Sequence, residues 1–234
     1  MYPLIFIKKM FDRTITLIGK EKYQKLQKSN ILVLGLGGVG GYIVESLIRS
    51  GIENITLVDF DKIDITNINR QIIATKENIG NNKTEEWKKR IQSINQNVKI
   101  NIINQKITSE NINILFNEDY NFIVDACDTV IVKKLLIKEC KKRNINLITV
   151  CGMGKKLNPS LVKICDIRET SYDPLAKSLR KYVKEENIKG KIPCIFSEEK
   201  PITNNNSIVS SMIMVPSIAG ILAAHYCIDK IINN

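Results

Sequence analysis

The chain has 234 residues, 44% hydrophobic and 25% charged, which suits one soluble domain or one domain with an elaborated end. Lys and Arg outnumber Asp and Glu by 35 to 24, a formal net charge of +11 that favours polyanionic partners, though charge alone leaves a solvated lysine-rich face as an equal alternative. Six cysteines without a Cys-x-x-Cys pair, beside a single histidine (His225), exclude a disulfide scaffold, argue against zinc, and read as reduced thiols of a cytoplasmic protein.

The first residues, "MYPLIFIKKMFDR", carry their charges after the apolar patch rather than before it, so no signal peptide is expected. Residues 12–28 read as one amphipathic helix. "NILVLGLGGVGG" is an apolar run closing in glycines, the pattern of a strand buried on both faces. "YIVESLIRSG" continues as a helix stopped by Gly51, and "NITLVDFD" is a second buried strand. "KTEEWKKRIQSIN" reads as a helix, "VKINIINQKI" as a third strand and "YNFIVDACD" as a fourth. A basic helix, "VKKLLIKECKKRN", leads to a fifth strand, "INLITVCGMG". After about Pro159 come "LVKICDI", a further strand, the basic helix "DPLAKSLRKYVKEEN", and a loop-rich "GKIPCIFSEEKPITNNN". The uncharged stretch 207–227 reads as a buried helix broken at Pro216, with membrane association as a minor alternative.

Strands alternating with helices predict an α/β fold: a Rossmann-like, mostly parallel sheet with helices on both faces and a C-terminal elaboration. Right-handed crossovers bring the carboxyl ends of the strands to one edge, where "GLGGVG", "DFD" and "DACD" must share a crevice. We take 1–234 as a single domain, with a nucleotide-binding core at 12–158 and an elaboration at 159–234.

Gly35, Gly37 and Gly40 match G-x-G-x-x-G between a strand and a helix, and Asp59 follows about 20 residues on, where a carboxylate can hold ribose hydroxyls. A nicotinamide enzyme is the default reading of such a unit. It lacks a hydride-transfer set: Tyr226 and Lys230 form a Tyr-x-x-x-Lys pair only at the extreme C-terminus. The P-loop pattern is absent. Instead Asn67, Arg70, Gln71 and Lys83 follow Asp59, while Asp125 and Asp128 end a neighbouring strand. Cations that stabilise a transferring phosphate and a carboxylate for Mg²⁺ suit a triphosphate.

"GLGGVG", "LVDFDKIDITNINRQ", "NIGNNK" and "IVDACD", in that order, resemble the ubiquitin-activating-type (ThiF-like) adenylyltransferases across residues 12–155. "SYDPLAKSLRKYVK" and "KIPCIFSEEKP" extend the resemblance to the tRNA threonylcarbamoyladenosine dehydratases. The resemblance implies ATP-dependent cyclisation of a threonylcarbamoyl group on adenosine 37 of tRNA through an acyl-adenylate. It also implies an ATP site of Gly35, Gly37, Gly38, Gly40, Asp59, Asp61, Asn67, Arg70, Gln71 and Lys83. Asp128 would hold Mg²⁺, and Arg13 would reach across a homodimer interface into the partner's site. Arg70, Lys83, Asp128 and Arg13 are thus the expected catalytic set. Two rivals remain: activation of a ubiquitin-like sulfur carrier, with a sulfur-transfer partner, and a non-catalytic nucleotide-binding scaffold. The sulfur-carrier activators usually carry paired Cys-x-x-Cys ligands, which are absent here. Cys194 and His225 read as structural, and "TVCGMGKK" departs from the family's glycine-rich pattern at Cys151 and the two lysines.

Overall fold

A computed structural model describes residues 10–203 and 209–233. Most of the N-terminal apolar patch, and the first two residues of the uncharged stretch 207–227, lie outside the described residues.

The first helical region is two helices, not one. Gly19 adopts φ +86° between α1 (Asp12–Ile18) and α2 (Lys20–Lys28), a left-handed conformation that interrupts the helical hydrogen-bond ladder. Then follow β1 (Asn30–Leu34), α3 (Gly40–Ser50), β2 (Asn54–Val58), α4 (Lys83–Ile94), β3 (Lys99–Ile103), β4 (Phe122–Asp125), α5 (Val130–Arg143) and β5 (Asn146–Val150). The remaining elements are β6 (Val162–Asp166), α6 (Pro174–Glu185), β7 (Pro193–Ser197) and α7 (Met214–Asn233). They build one seven-stranded sheet in the order β3-β2-β1-β4-β5-β7-β6, parallel except where β6 meets β7.

β1 explains its own position. Ile31, Leu32 and Val33 are fully buried, with Ile31 and Val33 packing into one hydrophobic cluster and Leu32 and Leu34 into another. Alternate side chains of a strand point to opposite faces, so a continuous apolar run is stable only with both faces covered. α3, α4 and α7 cover one face, where Ile43, Leu47, Trp87, Ala219 and Ala223 join Ile31 and Val33. α5 covers the other through Val132 and Leu136, and α6 packs beside it through Leu179 and Val183.

Three expectations need correction. β3 stops at Ile103, short of Ile107, so residues 104–107 leave the sheet at its carboxyl edge. The loop-rich stretch contains β7, whose "PCIFS" run is buried and pairs between β5 and β6. Pro216 does not break a helix. It sits in the first turn of α7, where a missing N–H costs nothing. Residues Met214–Asn233 are apolar and long enough to cross a membrane, yet Val215, Ala219, Ala223, Ala224 and Cys227 are core residues. Gly220 lets α7 press onto α3: a Cβ there would lie 2.4 Å from the Val39 carbonyl oxygen.

Sheet order reverses between β1 and β4, since β1 leads outward to β2 and β3 while β4 leads the other way. A crevice must open at that switch point, beyond the strands' carboxyl ends.

Candidate active site

The turn after β1 and the turn after β4 are pressed together at the crevice floor. Gly35 has φ +86°, and a Cβ on it would come within 2.8 Å of the Ala126 carbonyl. Gly40, the first residue of α3, closes the turn on itself, because its Cβ would fall 1.7 Å from the Gly35 oxygen. Gly37 and Gly38 line the cavity, and Gly38 leaves room for the Arg70 side chain, whose Cγ lies 3.3 Å from where its Cβ would be.

Asp59, nearly buried at the end of β2, ties this loop down. Its Oδ2 accepts from the Leu36 N–H at 2.7 Å and its Oδ1 from the Asp61 N–H at 2.8 Å. Asp61 in turn accepts from Lys83 Nζ at 2.8 Å, and the two residues are also joined through a 3.1 Å Lys83 N–H to Asp61 carbonyl bond. Lys83 is 4% exposed, so its ammonium is held at the wall by a single carboxylate rather than solvated.

Between them a one-turn segment presents the amides. The Asn67 side chain accepts from the Asp64 N–H at 3.1 Å, while the Thr66 hydroxyl and N–H hold the Asp64 carboxyl below the usual range. The Arg70 guanidinium donates to the Thr66 carbonyl and the Asn69 side chain, both at 2.8 Å. Gln71 is buried, lines the cavity, and has a side-chain oxygen without a partner, which leaves an acceptor for a ligand donor.

These residues enclose a cavity of about 460 Å³, sized for a nucleotide. Gly35, Gly37, Gly38, Asp59, Asp61, Asn67, Arg70, Gln71, Lys83 and Asp128 all line it. Two expected site residues do not. Gly40 stands behind the turn as a packing residue, and Arg13 is exposed on α1, away from this cavity. Asp128 is exposed at the rim, accepting only a long 3.4 Å bond from Thr129, which takes the cap position of α5.

Sequence reading missed part of the wall. Phe60, Lys62, Gln105, Lys106 and Ile107 also line the cavity, with Lys106 Nζ 5.5 Å over the Phe60 ring. Reading the third strand to Ile107 hid Gln105 and Lys106; a strand ending at Ile103 puts both at the crevice edge. It also missed Lys133, which is wholly buried beneath the floor. Its Nζ donates to Asp125 Oδ2 at 3.0 Å, Thr149 Oγ1 at 3.1 Å and the Val150 carbonyl at 2.8 Å. Burial pulls this ammonium down, but the Asp125 carboxylate outweighs it, and Lys133 stands above the ordinary lysine range. Asp125 uses its other oxygen to accept from the Cys127 N–H at 3.2 Å, fixing the loop that carries Asp128.

Cys127 and Cys194 are poor nucleophiles. Cys127 lines the cavity, but burial and the Asp125 charge push its thiol far up. Cys194 is fully buried in β7, 3.7 Å from the Cys165 sulfur, and contact with Cys151 and Cys165 together with burial raises it further. His225 is exposed on α7 and absent from the cavity wall.

A magnesium ion fits this wall in one way. Among the described residues no cluster of three or more ligating side chains could hold a metal alone. Mg²⁺ is commonly held by one or two carboxylates together with substrate phosphates, and the rim carboxylate of Asp128 suits that mode.

Known proteins resemble this chain over most of its length. Residues 11–233 match the ThiF family model. The chain is 37% identical to a tRNA threonylcarbamoyladenosine dehydratase of Bacillus subtilis over 94% of this chain and 93% of that one. It is 36% identical to the Escherichia coli protein of the same name, over 81% and 73%. The crystal structure of Escherichia coli TcdA in complex with ATP superposes with a TM-score of 0.91 at 33% identity, covering 97% of this chain and 95% of that one.

Proposed function

The chain belongs to the ThiF family, and from that premise we propose that it is an ATP-dependent enzyme that dehydrates threonylcarbamoyladenosine at position 37 of tRNA. The observation that carries this reading is the convergence of Asp59, Asn67, Arg70, Lys83 and Asp128 on one nucleotide-sized cavity beside the glycine turn.

Each side chain then has a task. Asp59, with lone pairs left after its two backbone bonds, accepts from ribose hydroxyls. Arg70 and Lys83 stabilise the negative charge that develops as the bond between the α-phosphorus and the leaving pyrophosphate breaks. Mg²⁺, held at Asp128, would neutralise phosphate charge during that step. The substrate carboxylate takes the α-phosphoryl group, forming an acyl-adenylate and releasing pyrophosphate. The tethered carbamoyl group then attacks the activated carbonyl, and AMP leaves with the former carboxylate oxygen. The nucleoside has lost one water. No protein nucleophile is needed, because tethering supplies the effective concentration; the protonated Cys127 fits that economy.

Arg13 has no place in its own chain's cavity, so we assign it to the site of a second copy in a homodimer. The test of the reading is AMP release with threonylcarbamoyl-modified tRNA, unmodified tRNA and no RNA, with mass spectrometry of the nucleosides. AMP formed only with modified tRNA, and a product lighter by one water, is the expected result. Asp128→Ala should abolish AMP formation without lowering the melting temperature, since the side chain is exposed; an active variant overturns the Mg²⁺ assignment.

A further inference from the structure

The net charge of +11 is not spread evenly. α5 carries six cations against one carboxylate, Glu139, and of those six only Lys133 is fully buried. α6 carries four cations against Glu185. The two helices lie side by side on the same face of the sheet: Lys138 pairs with Glu186 at 3.0 Å, and Lys134 Nζ sits 5.5 Å over the Tyr182 ring. Their carboxylates are few and already paired, Glu139 with Arg143 and Glu185 with Lys181.

This face has a direction. α5 starts at Val130, two residues past Asp128 on the crevice rim, and runs about 21 Å to Arg143 at 1.5 Å per residue. At its far end a second cavity of about 300 Å³ opens at the amino ends of β4, β5 and β7. Lys141, Lys191 and Lys230 line it, together with Asn144, Asn146 and Tyr226. No carboxylate lines it among the described residues. Asp229, beside Lys230, instead receives the Asn233 amide at 2.7 Å. Lys141 is anchored by a 2.8 Å bond to the Lys191 carbonyl, and Lys230 lies 5.6 Å over the Tyr226 ring, so two of the three ammonium groups are pre-placed. The nucleotide cavity, at the carboxyl edge of the sheet, has no use for any of them.

On the reading that the substrate is a tRNA, we infer that the α5–α6 face docks the body of that RNA. Backbone phosphates track along α5 from the crevice rim, and the cavity at the amino edge receives a phosphodiester through Lys141, Lys191 and Lys230. The charge complementarity is of the kind that positions an RNA without reading its sequence, while the modified adenosine supplies specificity at the other end.

The test compares Lys141→Gln/Lys191→Gln/Lys230→Gln with a charge-matched control on α2, Lys20→Gln/Lys25→Gln/Lys28→Gln. Modified tRNA binding is titrated over a range of salt concentrations, alongside kcat, KM and ATP affinity. Each lost phosphate contact lowers the slope of log affinity against log salt by about 0.7–0.9, so the face variant should lose about 2 to 3 from the slope and bind tRNA at least about tenfold more weakly. KM for tRNA rises accordingly, while kcat at saturating tRNA and ATP affinity stay at wild-type values; the control changes tRNA affinity by less than about twofold. A face variant indistinguishable from the control overturns the inference, including the case where the face serves an acidic protein. Failure of the functional reading looks different: wild-type protein would produce no dehydrated nucleoside, and the binding comparison would still judge the face.

Discussion

Lys133 shows how one side chain beneath the site governs those within it. It joins the exits of β4 and β5, and through Asp125 it holds the Cys127 N–H, and so the loop that ends in Asp128. Removing one member of a buried ion pair strands the other charge, at a cost of about 3–5 kcal/mol, whereas replacing both by neutral groups is far better tolerated. Lys133→Ala should therefore lower unfolding stability in urea by roughly that amount. Asp125→Asn/Lys133→Met should recover much of the loss. A double variant less stable than Lys133→Ala would show that the pair itself, and not the stranded charge, dominates. The cavity wall carries a second lesson at this scale. Asp61 is the counterion of Lys83 in the chain as it stands, so the lysine proposed to face phosphate is held in place by a neighbour two positions past Asp59, the proposed ribose ligand.

Among elements, α3 and α7 pack closely where Gly220 faces the start of α3. Gly220 sits against the Val39 carbonyl and the Tyr42 Cβ, and the latter would lie 2.8 Å from an added methyl. Gly220→Ala pits a favourable helix propensity against a backbone clash that can relax only by separating the helices. Overpacking of this kind costs about 1–3 kcal/mol, so a drop in the urea midpoint with an unchanged slope is expected. α3 is also tied to α4 by Glu45, which accepts from Arg90 at 2.7 and 3.0 Å and from Arg49 at 2.7 Å. Burial works to raise the Glu45 carboxyl, but the hydrogen bonds and charges of the two arginines outweigh it and hold the group below its ordinary value. Its contribution is therefore complete above the unfolded-state value of an ordinary glutamate and fades as pH falls through the lower folded value. Glu45→Gln should cost roughly 1 kcal/mol at neutral pH, the upper range for a partly exposed pair. The gap from wild type should close on acidification; a gap that persisted to low pH would contradict the assignment.

For the whole molecule, the proposed homodimer gives a use to Arg13, which does not line its own chain's cavity. Two inactive variants, Arg13→Ala and Lys83→Ala, should then complement each other. In a heterodimer one site receives both substitutions and the other receives neither. Random mixing of equal amounts should restore about a quarter of wild-type AMP formation, as expected for a symmetric dimer with shared sites. Mixtures no more active than either variant alone would place Arg13 outside the partner's site.

Much of this was legible along the chain because it depends on neighbours in sequence. The apolar run of β1 requires both faces covered, the glycine spacing dictates a tight turn before a helix, and Asp59, Arg70 and Lys83 lie on segments that the right-handed crossovers return to one edge. Parallel order and a crevice at the carboxyl ends followed from those local patterns alone. Other features depend on contacts that no local pattern encodes. β7 looked like loop because its short run is framed by Pro193 and charged residues; it is a strand only because β5 and β6 supply partners on both sides for its hydrogen bonds. Pro216 looked like a break until the start of α7 was placed two residues before it. Lys133 looked like one more cation of a basic helix, and which lysine turns inward is decided by Asp125 and Thr149, carried on β4 and β5. The sequence by itself determined the alternation of strands and helices, the mostly parallel sheet and the crevice at its carboxyl edge, because backbone propensity and side-chain period act over a few residues. Only the tertiary structure decided which buried charges pair, where strands end and which residues beyond them line the crevice, because those outcomes are set by desolvation and by partners far away in the chain.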